Sequence, residues 1–185
     1  MISKKHKCIF VHIPKTAGSS IELFLDPNLK TAMNGDTVFT QENKHSKAID
    51  YYSQDPDLFS RYFSFSFVRN PWDLVVSRYF YRKNWDSNFD LSIKGFLLGN
   101  FSWNCCFNYL CVNDEISVNF VGRFENLQDD FDIVCDKIGI PQQQLLHANK
   151  SNHKQYTEYY DDETREIVAK KFAKDIEYFG YKFGE

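Results

Sequence analysis

An α/β fold, built on a central parallel sheet with helices on both faces, is what this sequence predicts. Three observations carry it. Short β-branched or aromatic runs alternate with segments of helical period. Two of those runs end directly at the start of a helix signal, as strand–loop–helix units do. No repeat or low-complexity stretch interrupts the alternation. At 185 residues, 43% hydrophobic and 25% charged, the chain suits a single domain over 1–185 with a proper core.

The first strand is expected over residues 8–13 and its helix over 18–25, stopped by Asp26-Pro27. Residues 28–45 read as polar and irregular, with Asn34-Gly35-Asp36 as a turn signal, and a short helix follows over 46–52. The aromatic run 62–68 reads as a second strand buried on both faces. Asn70 is then an N-cap, Pro71 suits the first helical position, and Asp73 complements the positive end of the helix. Trp72, Val75, Val76 and Tyr79 recur at i, i+3, i+4, i+7 and give this helix one buried face. A third strand is expected over 117–122. The helix after it carries Phe131, Val134 and Cys135 on one stripe and ends at Gly139. The last helix, from Asp161, is expected to bury Val168, Phe172, Ile176 and Phe179.

A net charge of −3 excludes a general affinity for nucleic acid, so any phosphate must be met by a local arrangement of cations. Cys8, Cys105, Cys106, Cys111 and Cys135 have neither disulfide-framework nor zinc-ligand spacing, which points to reduced thiols and a cytoplasmic setting. The basic start Lys4-Lys5-His6-Lys7 leads into an apolar run of only strand length, so neither a signal peptide nor a membrane span is expected.

Chemistry concentrates in two stretches. In the first, the run Ile9 to Ile13 breaks at Pro14, and Lys15, Thr16, Ala17, Gly18, Ser19 and Ser20 open a helix. Backbone N–H groups at a helix start, with a lysine and hydroxyls beside them, suit a phosphate or sulfate. Gly18 is expected to let the backbone approach that ligand. The order differs from G-x-x-x-x-G-K-[ST], because Lys15 precedes the glycine. The second stretch, Phe67 to Tyr79, places Arg69 after a strand and Ser77 about two helical turns on, roughly 10 Å along the axis. Arginine suits an oxyanion because its planar fork donates several hydrogen bonds. Equally open are an Arg69–carboxylate pair and an ordinary helical Ser77. Lys15 and Arg69 both follow strands, so a parallel sheet puts them on one rim.

Taken together, PKTAGSS after one strand and RNPWDLVVS after the next resemble the sulfotransferases that use 3'-phosphoadenosine-5'-phosphosulfate (PAPS). The resemblance is nearest to the carbohydrate-type branch, the heparan and chondroitin enzymes and their microbial relatives. It extends through Val121 to Leu127 and the segment 149–160. It implies a P-loop NTPase-like three-layer fold and sulfuryl transfer to a hydroxyl, most simply of a carbohydrate, with no metal. By the same resemblance, residues 15–20 surround the 5' end of PAPS, and Arg69 and Ser77 hold its 3'-phosphate. Lys15 is the electrostatic catalyst. His45, in a loop before a helix, matches the place where relatives carry a catalytic histidine, with Glu42 the weaker candidate. Arg123, Lys150 and Ser151 are further candidate nucleotide contacts, each with an ordinary surface or ion-pair role as the alternative. His12 is expected to be structural.

Two departures stand out. Leu74 occupies a position where the second motif often carries arginine, and the chain is short for the family. The aromatic segment 82–113, with Trp85, Phe89, Phe101, Trp103 and Phe107, is a candidate helical insertion on the acceptor side or a local helical core. A non-catalytic nucleotide-binding protein and a small P-loop kinase are the competing functions.

Overall fold

Parallel pairing is what organises the sheet. In the computed structural model, which describes residues 1–27, 37–38, 44–99, 103–146 and 153–185, the chain forms two compact units. The first comprises Met1–Val68 and Asn108–Asn149, the second Arg69–Phe107 and Lys150–Glu185.

In the first unit, strands β1 (Ile2–Ser3), β2 (Cys8–Val11), β3 (Thr37–Val38), β4 (Phe63–Val68) and β7 (Phe120–Arg123) form a sheet of order β3-β1-β2-β4-β7. β2 pairs in parallel with β4 and β4 with β7, whereas β1 is antiparallel to both β2 and β3. The fold is therefore mixed α/β on a mostly parallel sheet. The strip β1 and the short β3, inside the stretch expected to be irregular, are additions to the three anticipated strands.

β4 shows how the sequence dictates its two faces. Phe65 and Phe67 point to one side, where Phe10, Phe131 and helices α1 (Gly18–Leu25) and α7 (Leu127–Ile138) build the core. Ser64 and Ser66 point to the other, fully buried but satisfied. Ser66 Oγ donates to the Val11 carbonyl at 2.6 Å, and Ser64 Oγ to Asn119 Oδ1 at 2.9 Å. Asn119 takes both the N–H and the hydroxyl of Ser64, so the third strand begins at Phe120 rather than at 117. Opposite Phe67 in the register stands Gly122, where a Cβ would lie 2.5 Å from the Phe67 ring. α7 ends at Gly139 in the left-handed region, as expected of a C-terminal glycine.

Helices α2 (Ala48–Gln54) and α3 (Pro56–Arg61) join β3 to β4, and α2 starts two residues later than expected. A hairpin of β5 (Cys111–Val112) and β6 (Glu115–Ile116) turns through Asn113 and Asp114, both left-handed at φ 53° and 63°. Asn and Asp tolerate that conformation, which a two-residue hairpin requires.

The second unit is helical. α4 (Pro71–Trp85) begins as its sequence dictates, with Asn70 Oδ1 accepting from Trp72 N–H at 3.1 Å and Pro71 at the first position. The Trp72 indole donates to the Arg165 carbonyl at 3.1 Å, and the Tyr160 hydroxyl to the Trp72 carbonyl at 2.7 Å. α5 (Ile93–Leu98) brings Phe96 against Tyr79, Phe89 and Trp103, all edge-on. These aromatics form a packed helical core, while Trp85 stays 73% exposed under the Arg82 guanidinium.

The single last helix that was expected is two. α8 (Asp162–Lys171) and α9 (Ala173–Phe179) meet at Phe172, whose backbone leaves the helical region. Asp175, and not Ile176, then takes the fully buried position. Its carboxylate accepts from the N–H groups of Cys106 and Phe107, both at 2.7 Å, and so caps the start of α6 (Cys106–Leu110). Burial raises its pKa, and the two backbone N–H donors oppose that. Replacing Asp175 by asparagine turns an N–H₂ toward one of those donors, so Asp175→Asn is expected to lose about 1–3 kcal/mol in chemical denaturation. Among the described residues, no helix is long and apolar enough to cross a membrane.

Candidate functional site

The segment between β2 and α1 leaves the carboxyl end of the parallel sheet, where α/β folds place ligands. Its backbone is unusual. Lys15 and Ala17 both sit at positive φ, 71° and 65°, although neither is glycine. Such residues cost of order 1–3 kcal/mol each, so the surrounding packing holds the loop in place. Alternating left-handed residues turn successive N–H groups inward, the geometry of an anion-binding nest. Ala17 is also the N-cap of α1 and has no capping oxygen. The start of α1 thus has no side-chain cap, with Lys15 two residues before it.

The hydroxyls divide. Thr16 is fully buried and its hydroxyl donates back to the Ile13 carbonyl at 2.9 Å, so it stabilises the loop. Ser19 is half-buried and Ser20 buried. Gly18 has a reason the sequence did not suggest. A Cβ there would fall 2.1 Å from Cδ2 and 2.2 Å from Nε2 of His12. The glycine makes room for a histidine ring.

His12 is 3% exposed and stacks on Phe10 at 5.7 Å. Its Nδ1 lies 2.6 Å from Oε1 of Glu22, a carboxylate 1% exposed on α1. Burial lowers the pKa of His12, with Glu22 opposing. The neutral ring therefore donates its Nδ1–H to Glu22.

His45 stands beside it, exposed, with its ring centroid 4.8 Å from that of His12 and nearly perpendicular. Its Nδ1 lies 3.3 Å from the His12 carbonyl oxygen. A carbonyl only accepts, so Nδ1 carries the proton and Nε2 keeps its lone pair. Partial desolvation of the ring lowers the pKa of His45, the adjacent His12 and Lys44 act in the same direction, and the bond to the His12 carbonyl and the charge of Glu22 oppose them. His45 is thus neutral at physiological pH with Nε2 able to accept a proton. Lys44 reaches toward Glu22, 3.7 Å from Oε2.

In the second unit, Arg69 is 6% exposed, and its Nε donates to Asp73 Oδ2 at 2.8 Å. The carboxylate pairing left open by the sequence is present, on the first turn of α4. Ser77 is buried on the same helix, and Leu74 is fully buried as a core residue. Arg123 is exposed at the end of β7, its backbone N–H donating to Asp130 on α7 at 2.6 Å. His153 stacks on Phe80 at 5.3 Å. Glu42, Lys150 and Ser151 lie outside the described residues, as does His147. Among the described residues, no cluster of three or more metal-ligating side chains occurs.

Sequence reasoning missed Glu22. The signal was present: Gly18, Ile21, Glu22 and Leu25 fall at i, i+3, i+4, i+7, so a carboxylate lies within the buried stripe of α1. A charge in such a stripe needs a partner, and His12 Nδ1 supplies one at 2.6 Å.

A family model described as the sulfotransferase family matches residues 1–95 and 98–182. An uncharacterized protein of Archaeoglobus fulgidus is 38% identical over 104 residues, which cover 54% of this chain and 86% of that protein. No solved structure matches.

Proposed function

Because the chain belongs to the sulfotransferase family, matched over nearly its whole length, we propose that it transfers a sulfuryl group from PAPS to a hydroxyl of a carbohydrate acceptor. The observation that carries the reading is the start of α1, which has no side-chain cap and is entered through left-handed Lys15 and Ala17. That geometry suits the 5'-phosphosulfate of PAPS, in keeping with a P-loop-like cradle. Lys15, Gly18, Ser19 and Ser20 line it, while Thr16 braces it from behind. Arg69 and Ser77 take the 3'-phosphate, with Asp73 fixing the direction of the guanidinium. Arg123, Lys150 and Ser151 are subsidiary nucleotide contacts.

In the reaction, the acceptor oxygen bonds to sulfur as the bond from sulfur to the phosphate oxygen breaks. His45 Nε2 takes the acceptor proton, and the Lys15 ammonium offsets the negative charge growing on the departing phosphate. Lys15 and His45 both belong to the first unit, and groups held in place beforehand need little reorganisation at the moment of transfer.

Calorimetry with 3'-phosphoadenosine-5'-phosphate and with ATP tests the donor. The bisphosphate is expected to bind and ATP to bind weakly; tight binding of ATP alone would sink the proposal in favour of a kinase. Mass spectrometry of a sugar panel incubated with PAPS tests the transfer, and a chain that binds the donor yet sulfates nothing is a binding protein. Two variants should separate the phosphate roles. Arg69→Ala is expected to weaken bisphosphate binding by about tenfold to a hundredfold. Lys15→Ala is expected to lower turnover about a hundredfold with a smaller change in donor affinity.

A further inference from the structure

We propose that Glu22 and His12 are positioning residues for His45, holding its ring and its Nδ1 proton so that Nε2 is presented as the acceptor. The inference rests on the reading of His45 as the base. Its grounds are geometric, and all the groups lie in the first unit.

Glu22 touches two neighbours of His45. One oxygen holds Nδ1 of His12 at 2.6 Å, and the other lies 3.7 Å from Nζ of Lys44, the residue directly before His45. His12 in turn meets His45 twice. Its carbonyl lies 3.3 Å from Nδ1, and its ring sets the edge-on contact at 4.8 Å. The His12 ring cannot easily turn, because Phe10 stacks on it and Gly18 closes on its Nε2 edge. His45 itself is exposed and would otherwise sample many rotamers. A buried, hydrogen-bonded ring thus fixes the pose of an exposed one.

A carboxylate used only for stability has simpler solutions. An apolar residue at position 22 would continue the stripe of Ile21 and Leu25 without burying a charge. The polar choice places a buried negative charge against His12. That charge favours protonation of His45, whereas His12 and Lys44 disfavour it. The Tyr51 phenol also feels Glu22, although burial dominates its upward shift.

The test is Glu22→Gln, which keeps the shape and a hydrogen-bond acceptor but removes the charge. Two-dimensional NMR of the ring nitrogens reads the His45 tautomer and its protonation midpoint directly, without substrate. The expected result is a lower midpoint for His45, a mixed tautomer, and turnover reduced about tenfold to a hundredfold with donor KM within about twofold. Lys44→Met, on a partly exposed side chain, should fold normally and move the midpoint the opposite way, upward. If neither variant moves the tautomer or midpoint of His45 while His45→Ala is inactive, the positioning role is wrong and the base assignment stands. If the midpoints move but His45→Ala turns over at full rate, both fall, because no base is then being positioned.

Discussion

Replacing His45 by alanine is expected to lower sulfuryl transfer by about a hundred- to ten-thousand-fold while leaving donor binding nearly intact. On the proposed mechanism the imidazole contributes to the transition state, where the acceptor proton must leave, and little to the ground state of the bound donor. Its exposure also means that the fold loses almost nothing, so the loss in rate cannot be attributed to unfolding. A pH profile sharpens the test. His45 must be neutral to act, and burial holds its pKa below the ordinary 6.5. Activity should therefore persist as pH falls through 6.5 and decline only below it, along a limb that His45→Ala lacks. Full turnover in His45→Ala, measured with an acceptor that the wild type sulfates, would assign the base elsewhere.

The second large effect is expected from a single methyl group. Gly18→Ala improves helix propensity by about 1 kcal/mol on the usual scale. Here the new Cβ would lie 2.1 Å from the His12 ring, well inside any real contact. Either the α1 start shifts, or His12 swings away and abandons the Glu22 carboxylate in a buried site. The first outcome costs about 1–3 kcal/mol as overpacking, and the second costs at least as much as an unpaired buried charge. The clash outweighs the propensity, so denaturation should show net destabilisation and transfer should fall because His45 loses its neighbour. A double-mutant cycle isolates the cause. In a His12→Ala background the same Gly18→Ala change should be neutral or stabilising, since the ring it strikes is gone. Equal destabilisation in both backgrounds would show that the glycine serves the backbone instead.

Much of this site was legible in the sequence because its logic is local. Pro14 followed by Lys15 and two serines marks a strand that ends and a helix that begins, and the observed α1 spans the expected residues. Asn70, Pro71 and Asp73 announced the start of α4 by the same short-range chemistry of caps and helix dipoles. His45 could be placed before a helix from its neighbours. The errors lie where distant residues decide. The pairing of Asn119 with Ser64 delays β7, and Asp175 takes a core position because the N–H groups of Cys106 and Phe107, far away in the chain, need an acceptor.

Periods, caps and breakers act within a few residues, and from them the sequence by itself determined the strand–loop–helix order, the parallel core of the sheet and the placing of Lys15, Arg69 and His45. The tertiary structure alone decided what those groups touch. It gave Gly18 the task of seating the His12 ring, and joined His12, Glu22 and His45 across ten to thirty-three residues of chain. The physical reason is that contact between rings, and the pairing of a buried charge, depend on three-dimensional proximity that no local pattern encodes.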